Sequence, residues 1–215
     1  MIANLNNVEL GITKEIIHIG LSKAAESLSF FIKEKVMIQI VDIKVNSNDF
    51  NPISKKEDDG VKCLLTTNII GEITGTSYLV FNTSEVNKII STNFADVVFK
   101  SEDERDKMSS AILLEIDNII TASVLTQFSN ILQKKMYGDV PAIDIVEKNK
   151  LNEHLNEKNK NNLNVIYINS HFITDKIDIN PEFIWLMDDN FFSTVKSLVR
   201  DEKKLELIHL LTAKN

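Results

Sequence analysis

The stretch Ser109–Ile131, SSAILLEIDNIITASVLTQFSNI, decides how the chain is read. Apolar residues at Ile112, Leu114, Ile116, Ile119, Val124, Phe128 and Ile131 recur at helical rather than strand spacing, which predicts one long helix with a buried face. Ala111, Glu115, Asn118, Ala122 and Ser129 fall three, four or seven positions apart and form a second stripe. Small residues flank two long polar ones there, so the stripe reads as a surface that another molecule can approach closely.

The pattern occurs twice. In EIIHIGLSKAAESLSFFI, Glu15–Ile32, and just before it, Gly11, Glu15, His18, Ser22 and Ser29 match Ala111, Glu115, Asn118, Ala122 and Ser129 at a constant offset of one hundred. The chain reads as a duplication.

Composition bounds the rest. The 215 residues are 43% hydrophobic and 26% charged, the balance of an ordinary globular chain. A net charge of −7 argues against nucleic acid, whose phosphates are bound by Lys and Arg. No window approaches about 18 uninterrupted apolar residues, and Met1–Leu10 lacks the regions of a signal peptide, so no membrane insertion and a cytoplasmic location are expected. Cys63 stands alone in the apolar run VKCLLTT, which fits a buried, unreactive thiol in a reducing compartment.

Taken in order, the sequence predicts a helix over 8–35 and a strand over 36–45. A loop over 46–60 and strands over 61–70 and 76–81 follow, with a hairpin turn at Gly71–Gly75 and a helix from Asn82 to about Phe94. Ser101 and Glu104 form a capping box for the long helix, and Lys134, Lys135 and Gly138 suit its end. A strand after Pro141, a loop over 149–164, strands over 165–173 and 177–187, and a helix capped by Asp188–Asn190 complete the second half. The expected fold is α+β: a duplicated α-β-β-β-α repeat sharing one mainly antiparallel sheet of about six strands. A single domain spans 1–215, with repeat 1 over about 8–96, repeat 2 over about 101–199 and a C-terminal extension over about 200–215 that includes LELIHLLTA.

Familiar catalytic signatures are missing. The six glycines form no nucleotide-binding loop, and His18, His154, His171 and His209 have no partners at metal-ligand spacing. No G-x-S-x-G elbow occurs. What remains is Glu115 with Asn118, repeated as Glu15 with His18, and Pro141 after twenty-two intervening residues.

Those residues resemble the CheC, CheX and FliY family of chemotaxis phosphatases, whose motif is D/S-x3-E-x2-N-x22-P on one or two symmetric helices. LEIDNII with Pro141 matches the E-x2-N-x22-P part, and the resemblance covers nearly the whole chain, closest to the CheC-like members. Ala111 stands where the motif has Asp or Ser, with Ser110 beside it. The first helix has His18 for Asn and Val41 for Pro, which makes Glu15 and His18 a degenerate second site. The resemblance implies hydrolysis of the phosphoaspartate on a CheY-like response regulator, with Asn118 orienting water and Glu115 docking the regulator. It implies no cofactor of the chain's own, since Mg²⁺ would come with the regulator. The alternative is a non-enzymatic module of the same fold that docks a regulator or a CheD-like partner. A small-molecule binding domain would need a deep apolar pocket away from both long helices.

Overall fold

The computed structural model describes residues 4–45, 60–95, 97–158, 164–201 and 205–206. The first half comprises α1 (Asn7–Ile32), β1 (Met37–Val45), β2 (Val61–Gly71), β3 (Gly75–Asn82) and α2 (Thr83–Asn93). The second comprises α3 (Glu102–Leu132), β4 (Met136–Gly138), β5 (Ala142–Glu147), α4 (Lys148–Lys158), β6 (Asn164–Ile173), β7 (Asp178–Ile179), β8 (Glu182–Met187) and α5 (Asp189–Val199). This is the α+β architecture expected, with every strand pair antiparallel.

One sheet runs through both halves in the order β1-β6-β8-β3-β2-β4. β5 joins β4 beside β2, and β7 shares β6 with β8, because the chain breaks at Pro141 and at Pro181. Proline cannot donate to a ladder, so each break falls where the sequence places one.

The sheet has two unequal faces. On one, α1 and α3 cover Leu65, Leu79, Phe81, Ile166, Phe183 and Trp185 in the main core. On the other, Leu151 and Leu155 of α4 close over Leu64, Tyr78, Val80, Tyr167, Ile184 and Leu186. The long helices touch directly: a Cβ on Gly20 would stand 3.1 Å from Val124 Cγ1, and Ser123 Oγ lies 2.9 Å from Ser27 Oγ. The two long helices therefore cross where Gly20 and Ser27 of α1 meet Val124 and Ser123 of α3.

Local chemistry sets the helix ends. Asn6 Oδ1 accepts from the N–H groups of Val8 and Glu9, and Glu9 accepts from that of Asn6, a complete capping box for α1. At α3, Ser101 Oγ accepts from Glu104, but the Glu104 carboxylate reaches back to Lys100 N–H rather than Ser101, so the expected box is one residue looser. The helices end on left-handed Lys33 (φ 57°) and Gln133 (φ 53°). Gly138, expected near that end, belongs to β4 instead.

Three further departures have physical reasons. The stretch after Lys148, expected as a loop because it is polar, forms α4, whose Leu151 and Leu155 supply the four-residue apolar spacing of one buried stripe. Ser29 and Ser129 leave the open stripe: Val36 N–H donates to Ser29 Oγ, and Ser129 Oγ donates to the Lys134 carbonyl, so both tie down helix ends. And α3 is, by length and composition, apolar enough to cross a membrane, against expectation, yet Leu113, Ile120, Val124 and Phe128 are buried in the core. The expected loop over 46–60, all but Gly60, and most of LELIHLLTA lie outside the described residues.

Candidate functional site

Glu115 and Asn118 are both exposed on α3, one helical turn apart. They line one wall of an open cleft of about 430 Å³ together with Ala111 and Leu114; Gly138, Asp139, Val140 and Pro141 form the other. Ala111, not the neighbouring Ser110, faces that cleft, and Ser110 is half-buried. Sequence reasoning placed Glu115, Asn118 and Pro141 at one site, and the fold brings them together.

The second wall owes its shape to a β-bulge. Ile69 pairs with Gly138 and Thr66 with Ala142, so three residues of the edge chain, 139–141, oppose two of β2. Asp139 N–H still bonds the Asn68 carbonyl at 2.8 Å, while Pro141 has no N–H to offer. Between them Val140 is thrown outward, 83% exposed, beside the two polar residues. Sequence reasoning missed Gly138, Asp139 and Val140; the Gly-Asp-x-Pro run was the available signal.

Asp117 is the other residue missed. It points inward between Glu115 and Asn118, fully buried, and its Oδ2 accepts from Thr67 Oγ1 at 2.6 Å. Burial pushes its carboxyl up to about 6, with the Thr67 bond opposing that rise.

The first half repeats this geometry with different chemistry. His18 is exposed and Glu15 half-buried on α1. Register shifts between Ile40 and Asp42, which makes Val41 the bulged residue of β1, opposite Asn169–Ser170 of β6. Desolvation and the nearby Lys14 lower the His18 pKa, with Glu15 opposing, so the imidazole is neutral at physiological pH.

Among solved structures, FliY of Thermotoga maritima superposes with a TM-score of 0.71 at 16% identity, covering 91% of this chain and 97% of that one. This chain has the CheC/CheX/FliY fold. A chain of the CheX–CheY–BeF3–Mg²⁺ complex from Borrelia burgdorferi matches this fold at a TM-score of 0.51 and 17% identity, covering 80% and 97%. A chain of the FliG–FliM complex from H. pylori matches at 0.61 and 13%, covering 88% and 100%. No protein-family model matches the sequence, and no curated protein matches it.

Proposed function

We propose that the chain is a CheC-like phosphatase acting on the phosphoaspartate of a CheY-like response regulator in the cytoplasm. The observation that carries this reading is the joint exposure of Glu115 and Asn118 in one cleft closed by Pro141. Phosphoryl transfer needs an in-line water and charge neutralisation, and no nucleophile from this chain. The regulator would bring the acyl phosphate and its own Mg²⁺; that a neighbour of this fold was solved in complex with CheY, BeF3 and Mg²⁺ supports a regulator as partner. The Asn118 carboxamide both donates and accepts, so it can fix the attacking water. It is too weakly basic to take a proton, and its contribution is orientation, for which about 7–11 kcal/mol is a ceiling. Glu115 is badly placed to meet phosphate and well placed to pair with a lysine of the regulator, setting register. Val140 supplies the apolar contact between them.

The test is the lifetime of a phosphorylated regulator encoded by the same organism, with and without the chain. Native protein shortens it; Asn118→Ala loses most of the effect. An Asn118→Ala protein as fast as the native one removes the mechanism.

A second reading is favoured by one observation: Ala111 occupies the cleft where the resembling motif carries Asp or Ser. The chain is then a binding module that docks a regulator, or a CheD-like partner, without hydrolysis. Measurable binding with an unchanged regulator lifetime selects it. The apolar space bounded by Leu28, Phe81, Ile116 and Phe172 holds about 50 Å³ against both long helices, well below the roughly 300–1,000 Å³ of ligand pockets, so it is not the deep pocket that a small-molecule role would need.

A further inference from the structure

Asp117 is buried where the fold would be satisfied by an apolar residue. Its Oδ1 is enclosed and has no hydrogen-bond partner among the described residues, so only half of the carboxyl is satisfied. Ile17 holds the corresponding place on α1, one hundred positions earlier, and is fully buried without that penalty.

The partner differs between the halves in the same way. Thr66 faces Ala142 and Asn169 faces Asp42, which makes Ser170 the counterpart of Thr67. Ser170 Oγ turns to the Pro181 carbonyl at 3.1 Å. Ile17 and Ser170 therefore make no counterpart of the Asp117–Thr67 bond between long helix and sheet.

Thr67 has a second contact. A Cβ on Gly138 would lie 2.9 Å from Thr67 Cγ2 and 3.3 Å from Thr121 Cγ2. The threonine thus holds Asp117 with its hydroxyl and supports the start of the bulge with its methyl. Both walls of the cleft converge on it.

We propose that Asp117 is a positioning residue: through Thr67 it fixes the rotation of α3 against the 138–141 bulge and so sets where Glu115 and Asn118 stand. Successive residues of a helix are about 100° apart, so any turn of α3 that slackens this bond sweeps Asn118 across the cleft. The kinetic consequence rests on the phosphatase reading.

The test uses the full chain with Asp117→Leu, Thr67→Val and Asp117→Asn, each checked by circular dichroism. Regulator dephosphorylation is followed against chain concentration, and the Asn118 side-chain amide is followed by NMR without regulator. Asn can still accept from Thr67, and Asp117→Asn keeps native kcat. Asp117→Leu and Thr67→Val lower kcat about tenfold or more while KM rises by less, because the Asn118 amide must meet one water closely whereas the longer Glu115 side chain can follow a lysine when the ridge turns. Their Asn118 amide signals also shift. Should Asp117→Leu fail to fold, the near-isosteric Thr67→Val carries the test. Folded variants with native kcat and native amide signals overturn the proposal, as does a loss confined to KM. If the native chain leaves the regulator's lifetime unchanged, the phosphatase reading fails, and the amide signals decide positioning separately.

Discussion

Val41 and Pro141, one hundred positions apart, occupy corresponding bulges in the two edge chains of the sheet. Each bulge stands next to the long helix of its own half: β1 packs on α1, and β4 and β5 pack on α3. The duplication therefore reaches beyond helix stripes to an irregularity that re-aims backbone toward a ridge. Proline fixes the second bulge by withholding an N–H, whereas valine leaves the first to pairing alone. One scaffold presents two ridges, and only one of them carries a carboxamide.

The buried carboxyl of Asp117 should make folding pH-dependent. Its pKa is raised from 3.8 to about 6, so the fold favours the protonated form. Its contribution is most favourable below 3.8 and is lost as pH climbs through about 6, a span worth roughly 3 kcal/mol. Asp117→Asn removes that dependence. In urea unfolding the variant should be more stable than the native chain by about 1–3 kcal/mol at pH 7.5 and flatter between pH 4 and 7. Parallel pH curves for the two proteins would contradict the assignment.

Gly138 leaves little room beside Thr67 and Thr121, and neither threonine can withdraw without loosening the core under the cleft. Gly138→Ala should lower stability by about 1–3 kcal/mol, the usual cost of overpacking. Thermal unfolding measures it, and an unchanged midpoint would show that the bulge yields freely.

Much of this was legible because apolar spacing reports burial. The α1 and α3 periodicity, the hundred-residue offset and the Pro141 strand start all correspond to features of the fold. What escaped depends on contacts between distant segments. α4 carries only two buried leucines in a run rich in Asn, Lys and Glu, too weak a pattern to outweigh its polarity. Asp117 reads as one more solvated carboxylate until Thr67, fifty positions away, is brought against it. The stripe serines looked like open surface because their partners, Val36 and Lys134, lie beyond the helix ends.

Cys63 is buried, as its apolar neighbours led one to expect, and allows a chemical check. Burial in the core pushes its thiol up to about 11, leaving almost no thiolate at neutral pH. Iodoacetamide at pH 8 should leave the native protein unmodified over hours and label it once in denaturant. Rapid labelling of folded protein would indicate an opening of the sheet between β2 and β3.

The last prediction concerns the first ridge. It has the bulge at Val41 and the carboxylate of Glu15, but His18 offers a neutral imidazole where the second ridge offers an amide. An imidazole has a different reach from a carboxamide, and its tautomer fixes one nitrogen as donor and the other as acceptor. On the phosphatase reading, His18→Asn in an Asn118→Ala background should therefore recover regulator dephosphorylation to about tenfold above Asn118→Ala alone, a small part of what orientation can contribute. Recovery should stay below the native rate, since Glu15 is half-buried where Glu115 is exposed and so presents less of its carboxylate to a partner. No recovery, with the regulator still bound, would mean that the first ridge lacks more than its amide and that the likeness between the two bulges is structural alone.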